Sequence, residues 1–146
     1  MQAASKSIPS EVVGIGLVLD CAGQVLIDKR LKESHLGGMW EFPGGKQKKD
    51  EAIELTIARE IKEEMRVEVE VGEHLISFDH VYRFKKILFV VHICKLISGD
   101  PRPLKSQEVR WVHLQDLLNY SFPSANSQII DALMNYLSED KFSKFS

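Results

Sequence analysis

The chain has 146 residues, 44% of them hydrophobic, with a formal net charge of −2 and a pI near 6.2. That length suits one domain over residues 1–146, with a core from about 11 to 137 and enough apolar material to fold without staples. The near-neutral charge gives no electrostatic basis for binding long nucleic acid or a membrane surface. Cys21 and Cys94 have no CxxC spacing, which fits a reducing, cytoplasmic setting. Met1 to Ser10 contains no apolar leader and no run reaches the length of a membrane span, so a soluble protein is expected.

In chain order, Glu11 to Asp20 is β-branched and apolar, and a turn at Cys21-Ala22-Gly23 leads to a second run, Gln24 to Lys29; this predicts a hairpin. A polar loop, Arg30 to His35, precedes a glycine- and proline-rich stretch in which Trp40 to Phe42 reads as a short strand and Pro43-Gly44-Gly45 as a tight loop. Asp50 reads as the N-cap of an amphipathic helix over Glu51 to Met65, with Ile53, Ile57 and Ile61 one turn apart. Arg66 to Val71 alternates weakly, and the runs 75–83 and 87–96 flank Phe84-Lys85-Lys86 as a second hairpin. Ser98 to Pro103 is a loop by composition, Glu108 to Leu114 another strand, and two helical segments, 114–119 and 125–137, close the fold ahead of a frayed tail. Helices flanking a mixed sheet are the simplest architecture for this order.

The helix carries the chemistry. Glu60, Glu63 and Glu64 are three and four residues apart, so their carboxylates share one sector of its surface and repel one another unless something positive lies against them. Mg²⁺ or Mn²⁺ takes oxygen ligands and bridges to substrate phosphates, so such a set can anchor ions beside a polyphosphate. Arg59 can orient a carboxylate through a bidentate contact, Lys46 can neutralise phosphate, and Gly44 and Gly45 let backbone approach closely. The alternative for such a helix is a solvated face of mixed charge.

Gly45, Glu51, Arg59, Glu60, Ile61, Glu63, Glu64 and Val67 together resemble the Nudix box, in which a glycine is followed after five residues by a glutamate and after seven more by Arg-Glu-U-x-Glu-Glu-x-Gly-U, U being a bulky aliphatic. Arg66 stands where the family usually has glycine. The resemblance implies a Nudix hydrolase of the α/β class: an α/β/α sandwich with a central mixed β-sheet, cleaving a nucleoside diphosphate linked to another group. It implies Glu60, Glu63 and Glu64, with the Gly44 backbone, as holders of Mg²⁺ or Mn²⁺, Arg59 as their orienter, and Glu51 as structural.

The stretch Trp40 to Lys46 and the segment Phe122 to Asn126 extend the likeness to the MutT-type branch, which hydrolyses oxidised purine nucleoside triphosphates. Asn126 is then the base reader, since one amide can accept from the protonated N7 of an 8-oxo-purine and donate to its C6 carbonyl; the bland reading is a helix cap. Arg30 is the match to a phosphate-contacting arginine, and Phe42 and Phe122 are candidates to pack on the base, with core packing the alternative. For the general base, the aligned position is Lys105, which leaves Glu108 after a small loop shift, or Glu60. The five histidines show no ligand spacing, and Tyr82 lies near where dinucleoside polyphosphate hydrolases often carry a tyrosine.

The expected activity is metal-dependent hydrolysis of a purine nucleoside triphosphate, such as 8-oxo-dGTP, to monophosphate and pyrophosphate by a monomer or homodimer. The alternatives are another nucleoside diphosphate derivative (a dinucleoside polyphosphate, ADP-ribose or a pyrimidine triphosphate) or a nucleotide-binding module with little turnover.

Overall fold

The structure, a computed structural model, describes residues 10–138; the termini expected to be flexible otherwise lie outside the described residues. Seven strands form one sheet: β1 (Ser10–Leu19), β2 (Gln24–Lys29), β3 (Trp40–Glu41), β4 (Gly44–Lys46), β5 (Glu68–Tyr82), β6 (Lys85–Ser98) and β7 (Glu108–His113). Two α-helices, α1 (Ile53–Met65) and α2 (Ser127–Leu137), accompany them.

The apolar run of β1 becomes the centre of the sheet. It pairs in parallel with β6 along its whole length, and on its other side it bonds first to β4 and then, at Leu19, to β2. Strand β5 lies beyond β6, while β3 and β7 both pair with β2. The sheet is therefore mixed, with a single parallel pairing, β1 with β6, among the described strands.

Because successive strand side chains point to opposite faces, β1 serves two cores. Ile15, Leu17 and Leu19 join Val25, Ile27, Val91 and Ile93 under α2, which contributes Ile129, Ile130 and Leu133. Val18 joins Leu26 and Cys94 under α1, whose Ile57, Ile61 and Met65 are fully buried. The three-isoleucine repeat is thus the seam that fixes the carboxylate helix to the sheet, and the layers are helix, sheet, helix. Among the described residues, no helix is long and apolar enough to cross a membrane.

Several local expectations are corrected. Asp50 does not cap α1: it sits at φ 62, and the residue before the helix is Ala52, with no side-chain cap. The first turn is instead closed by Glu51, whose Oε1 accepts from the Lys48 N–H at 3.0 Å and the Thr56 hydroxyl at 2.8 Å. The tight loop after Pro43 is a strand, because Gly44 to Lys46 pair with Ile15 to Val13. Strand β5 runs unbroken over 15 residues, with register shifts between Val71 and His74 and between His74 and Ile76 that absorb the weak alternation. The second hairpin turns on Arg83, at φ 56, and Phe84, with Lys85 and Lys86 already in β6. Residues Leu114–Asn119 form a 3₁₀ helix, as do Ser124–Asn126 just before α2 begins at Ser127.

Candidate active site

Arg59 is the hub of the carboxylate helix. Its Nε donates to Glu51 Oε2 at 2.8 Å, Nη2 to Glu51 Oε1 and the Lys46 carbonyl at 3.0 Å each, and Nη1 to Glu60 Oε2 at 2.9 Å. Glu63, one turn on, lies 3.6 Å from the same Nη1. One guanidinium therefore locks the start of α1 to its middle and to β4, and hydrogen bonding to Arg59, with the Lys48 N–H, holds the Glu51 carboxyl down at about 2.

The two glycines set how closely backbone meets these acids. A Cβ on Gly45 would lie 2.3 Å from the Glu60 carboxyl carbon, so the Glu60 side chain is seated directly on the strand. A Cβ on Gly44 would lie 2.0 Å from the Gly14 carbonyl oxygen, and its N–H donates to Glu64 Oε1 at 3.2 Å. Gly44 therefore excludes any side chain, because it meets backbone, whereas a side chain at Gly45 would displace the Glu60 carboxylate.

Glu64 is half-buried, and the acids around it were not all foreseen. Asp28 is 3% exposed on β2, and its backbone partner across the ladder is Glu41 on β3, so the two side chains share the α1 face. Burial pushes the Glu64 carboxyl up, to about 9, and the charges of Asp28, Glu41 and Glu60 push in the same direction. Burial, then Glu41, pushes Asp28 up as well, and its Oδ1 has no hydrogen-bond partner. A signal for Asp28 existed in the sequence: it is the lone acid at the end of the apolar run Val25-Leu26-Ile27.

A set of mutually repelling carboxylates around the buried Asp28, with its orphaned oxygen, fits a cation. Among the described residues, no three or more His, Cys, Asp or Glu side chains are gathered into a ready-made cage. An ion here would therefore be completed by backbone oxygen, water and substrate phosphate, which is how Mg²⁺ is commonly bound.

On the opposite face lies a cleft of about 290 Å³. Val13, Ile15, Ile87 and Phe89 form its floor; Phe42, Pro123, Ala125 and Asn126 line it, as do Arg30, His35 and Tyr82. Phe42 is stacked on Phe122 with ring centroids 5.0 Å apart, so the pair is both core and wall. Asn126 makes no capping bond to α2; its Nδ2 donates to the Pro123 carbonyl at 3.3 Å, and the residue borders the cleft. Asn126 thus stands at the N-cap position of α2, as the helix-cap alternative has it, but without a side-chain capping bond.

Arg30 donates through Nη1 to Glu41 at 2.6 Å and through Nε to the His35 carbonyl at 2.7 Å. His35 in turn pairs through Nδ1 with the Tyr82 hydroxyl at 3.1 Å. Neither contact was visible from spacing, because the partners are 5 to 47 residues apart. The Lys46 ammonium lies 3.4 Å from Glu11. Glu108 opens β7 opposite Lys29, and its carboxylate accepts from Arg110 Nε, whose guanidinium lies over the Trp40 ring. Cys94 is buried, its thiol pushed up to about 12 by burial, which makes it inert core.

The carboxylate cluster and the cleft lie on opposite faces, yet Gly44 and Glu41 belong to both. A mixed sheet between two helices, with the box arginine clamping its own acids beside a nucleoside-sized cleft, defines a class of phosphoanhydride hydrolase. The NUDIX domain family model matches residues 14–132. The 8-oxo-dGTP diphosphatase of Buchnera aphidicola subsp. Schizaphis graminum is 30% identical over 127 residues, covering 84% of this chain and 92% of that protein. The CTP pyrophosphohydrolase of Escherichia coli is 27% identical over 121 residues, covering 82% and 89%. The crystal structure of a MutT protein from Methanosarcina mazei Go1 superposes with a TM-score of 0.78 at 24% identity, covering 92% of this chain and 98% of that one. The chain belongs to the Nudix hydrolase family, in its MutT-type branch, and its enzyme class is pyrophosphohydrolase.

Proposed function

We propose that the protein hydrolyses an oxidised purine nucleoside triphosphate, such as 8-oxo-dGTP, to the monophosphate and pyrophosphate, and so cleanses the nucleotide pool. The observation that carries this reading is the junction at Gly44 and Glu41, which puts a cleft with an amide at its edge directly beside the acid cluster.

Glu60, Glu63 and Glu64, with the Gly44 backbone, are assigned to hold Mg²⁺ or Mn²⁺, and Asp28 and Glu41 add negative charge beneath them. A bound divalent ion supplies phosphate neutralisation and a more acidic water. Arg59 keeps Glu60 and Glu63 in one orientation through its Nη1. Both acids considered as general base are held by an arginine, Glu108 by Arg110 and Glu60 by Arg59, but Glu60 borders the cluster; Glu60 is therefore assigned to take the proton from the attacking water. Arg30 serves the phosphates, and Phe42 and Phe122 form the wall against which the base packs. Asn126, with Nδ2 directed to Pro123, presents its carbonyl as the acceptor for a protonated N7.

A pyrimidine triphosphate is the second reading, favoured by the E. coli relative named for CTP at an identity similar to that of the 8-oxo-dGTP enzymes. A substrate panel with Mg²⁺ and Mn²⁺ separates the two. The expected outcome is the highest kcat/KM for 8-oxo-dGTP, with Asn126→Ala lowering the preference over dGTP roughly tenfold. Faster turnover of CTP than of any purine would move the assignment to the second reading. Reaction of only ADP-ribose or dinucleoside polyphosphates would overturn both.

A further inference from the structure

The loop between β6 and β7 is pinned at two places that bracket one lysine. At its near end, the Leu104 N–H donates to the Glu64 carbonyl of α1 at 3.1 Å. At its far end, the Gln107 N–H donates to the Lys29 carbonyl at 2.8 Å, and its Nε2 to the Arg30 carbonyl at 2.8 Å. The loop is thus a strut from the carboxylate helix to the end of β2, with Lys105 between the anchors.

Two observations show where the Lys105 side chain goes. Its ammonium lies 4.0 Å from Glu63 Oε1, at the helix. It also lines, with Arg30 and Glu41, a small cavity of about 90 Å³ on the outer side of the acid cluster. Two cations from separate parts of the chain therefore converge beside acids of the candidate site. The Lys105 side chain is 63% exposed, so its ammonium is still free to exchange a long ion pair for a stronger partner. A guanidinium retains donors beyond the two that Arg30 uses, and an ammonium next to it matches a doubly charged phosphate.

We propose that Lys105 joins Arg30, assigned to the phosphates above, as a second cation that binds the terminal phosphates of the substrate, the end that leaves as pyrophosphate. The inference rests on the triphosphate reading above. Lys105 acts on the phosphate chain directly, and the strut holds it in place.

The test uses the full-length protein with Mg²⁺ and compares wild type, Lys105→Ala, Lys105→Arg and Lys105→Glu. Inorganic tripolyphosphate and the nucleoside monophosphate product serve as competitive inhibitors of the best triphosphate substrate. Lys105→Ala should weaken inhibition by tripolyphosphate about tenfold and leave inhibition by the monophosphate unchanged. Lys105→Arg should restore most of the loss, and Lys105→Glu should deepen it. Melting temperatures of all four should agree, because the side chain is exposed. Unchanged tripolyphosphate inhibition in Lys105→Ala, or an equal loss for both inhibitors, would overturn the subsite. A wild-type enzyme inactive on every triphosphate overturns the substrate reading instead; tripolyphosphate binding to wild type and Lys105→Ala, followed by calorimetry, then still decides the fate of the subsite.

Discussion

At the scale of single residues, the site combines one strong clamp with one deliberate conflict. Arg59 and Glu51 satisfy each other through two hydrogen bonds, and the resulting shift has a pH signature. The Glu51 carboxyl moves from an ordinary 4.5 down to about 2 on folding. A lowered folded value means that the stabilisation is fully present above the unfolded value and is lost as pH falls from about 4.5 through about 2. Melting curves of wild type and Glu51→Gln should therefore differ by a constant amount at neutral pH and converge across that acid window; a gap independent of pH would remove the clamp as its cause. Glu64 is the opposite case, since its carboxyl is buried among other acids. Glu64→Gln should cost roughly a hundredfold or more in kcat while leaving the melting temperature of the metal-free protein equal or higher, because the amide needs no proton uptake on folding to stay neutral where the carboxyl is pushed up to about 9. A large loss of stability would instead make Glu64 a structural residue.

At the scale of elements, the position that departs from the box shows how a side chain can replace glycine. Arg66 ends α1 at φ 60 and ψ 38, in the left-handed region, with its N–H donating to the Lys62 carbonyl at 2.9 Å. The conformation that glycine adopts freely is kept, at a cost of roughly 1 kcal/mol for a residue with a Cβ. Arg66→Gly is therefore expected to stabilise the protein slightly, by up to about 0.5 kcal/mol after the extra entropy of the unfolded glycine is counted, as read by denaturant unfolding; destabilisation would show that the Arg66 side chain contributes more than the backbone strain removes. The elements also show what could be read in advance. The helix was legible because Ile53, Ile57 and Ile61 recur at its period and its acids fall at other positions. Strand β4 was not, because Gly44 and Gly45 carry no side-chain pattern; its pairing comes from the open edge of β1 at Val13 to Ile15.

At the scale of the whole molecule, the sheet separates two tasks. One face takes α1 and the acid cluster, the other takes α2 and the apolar cleft, and contact between the two occurs at β3 and β4. A cation that binds the folded acids but not the unfolded chain must raise the melting temperature in proportion to its binding. Adding Mg²⁺ should therefore stabilise the wild type measurably and stabilise Glu64→Gln much less. An equal response in both proteins would place the ion elsewhere.

The sequence by itself determined the family, the α/β/α architecture and the identity of the box acids, because fixed spacing on one helix translates directly into a shared surface. Only the tertiary structure brought Asp28 and Glu41 beneath Glu64, tied His35 to Tyr82, and stretched the loop carrying Lys105 between α1 and β2. Those relations depend on strand pairing and loop anchoring between residues far apart in the chain, and local periodicity holds no record of which distant strands will meet.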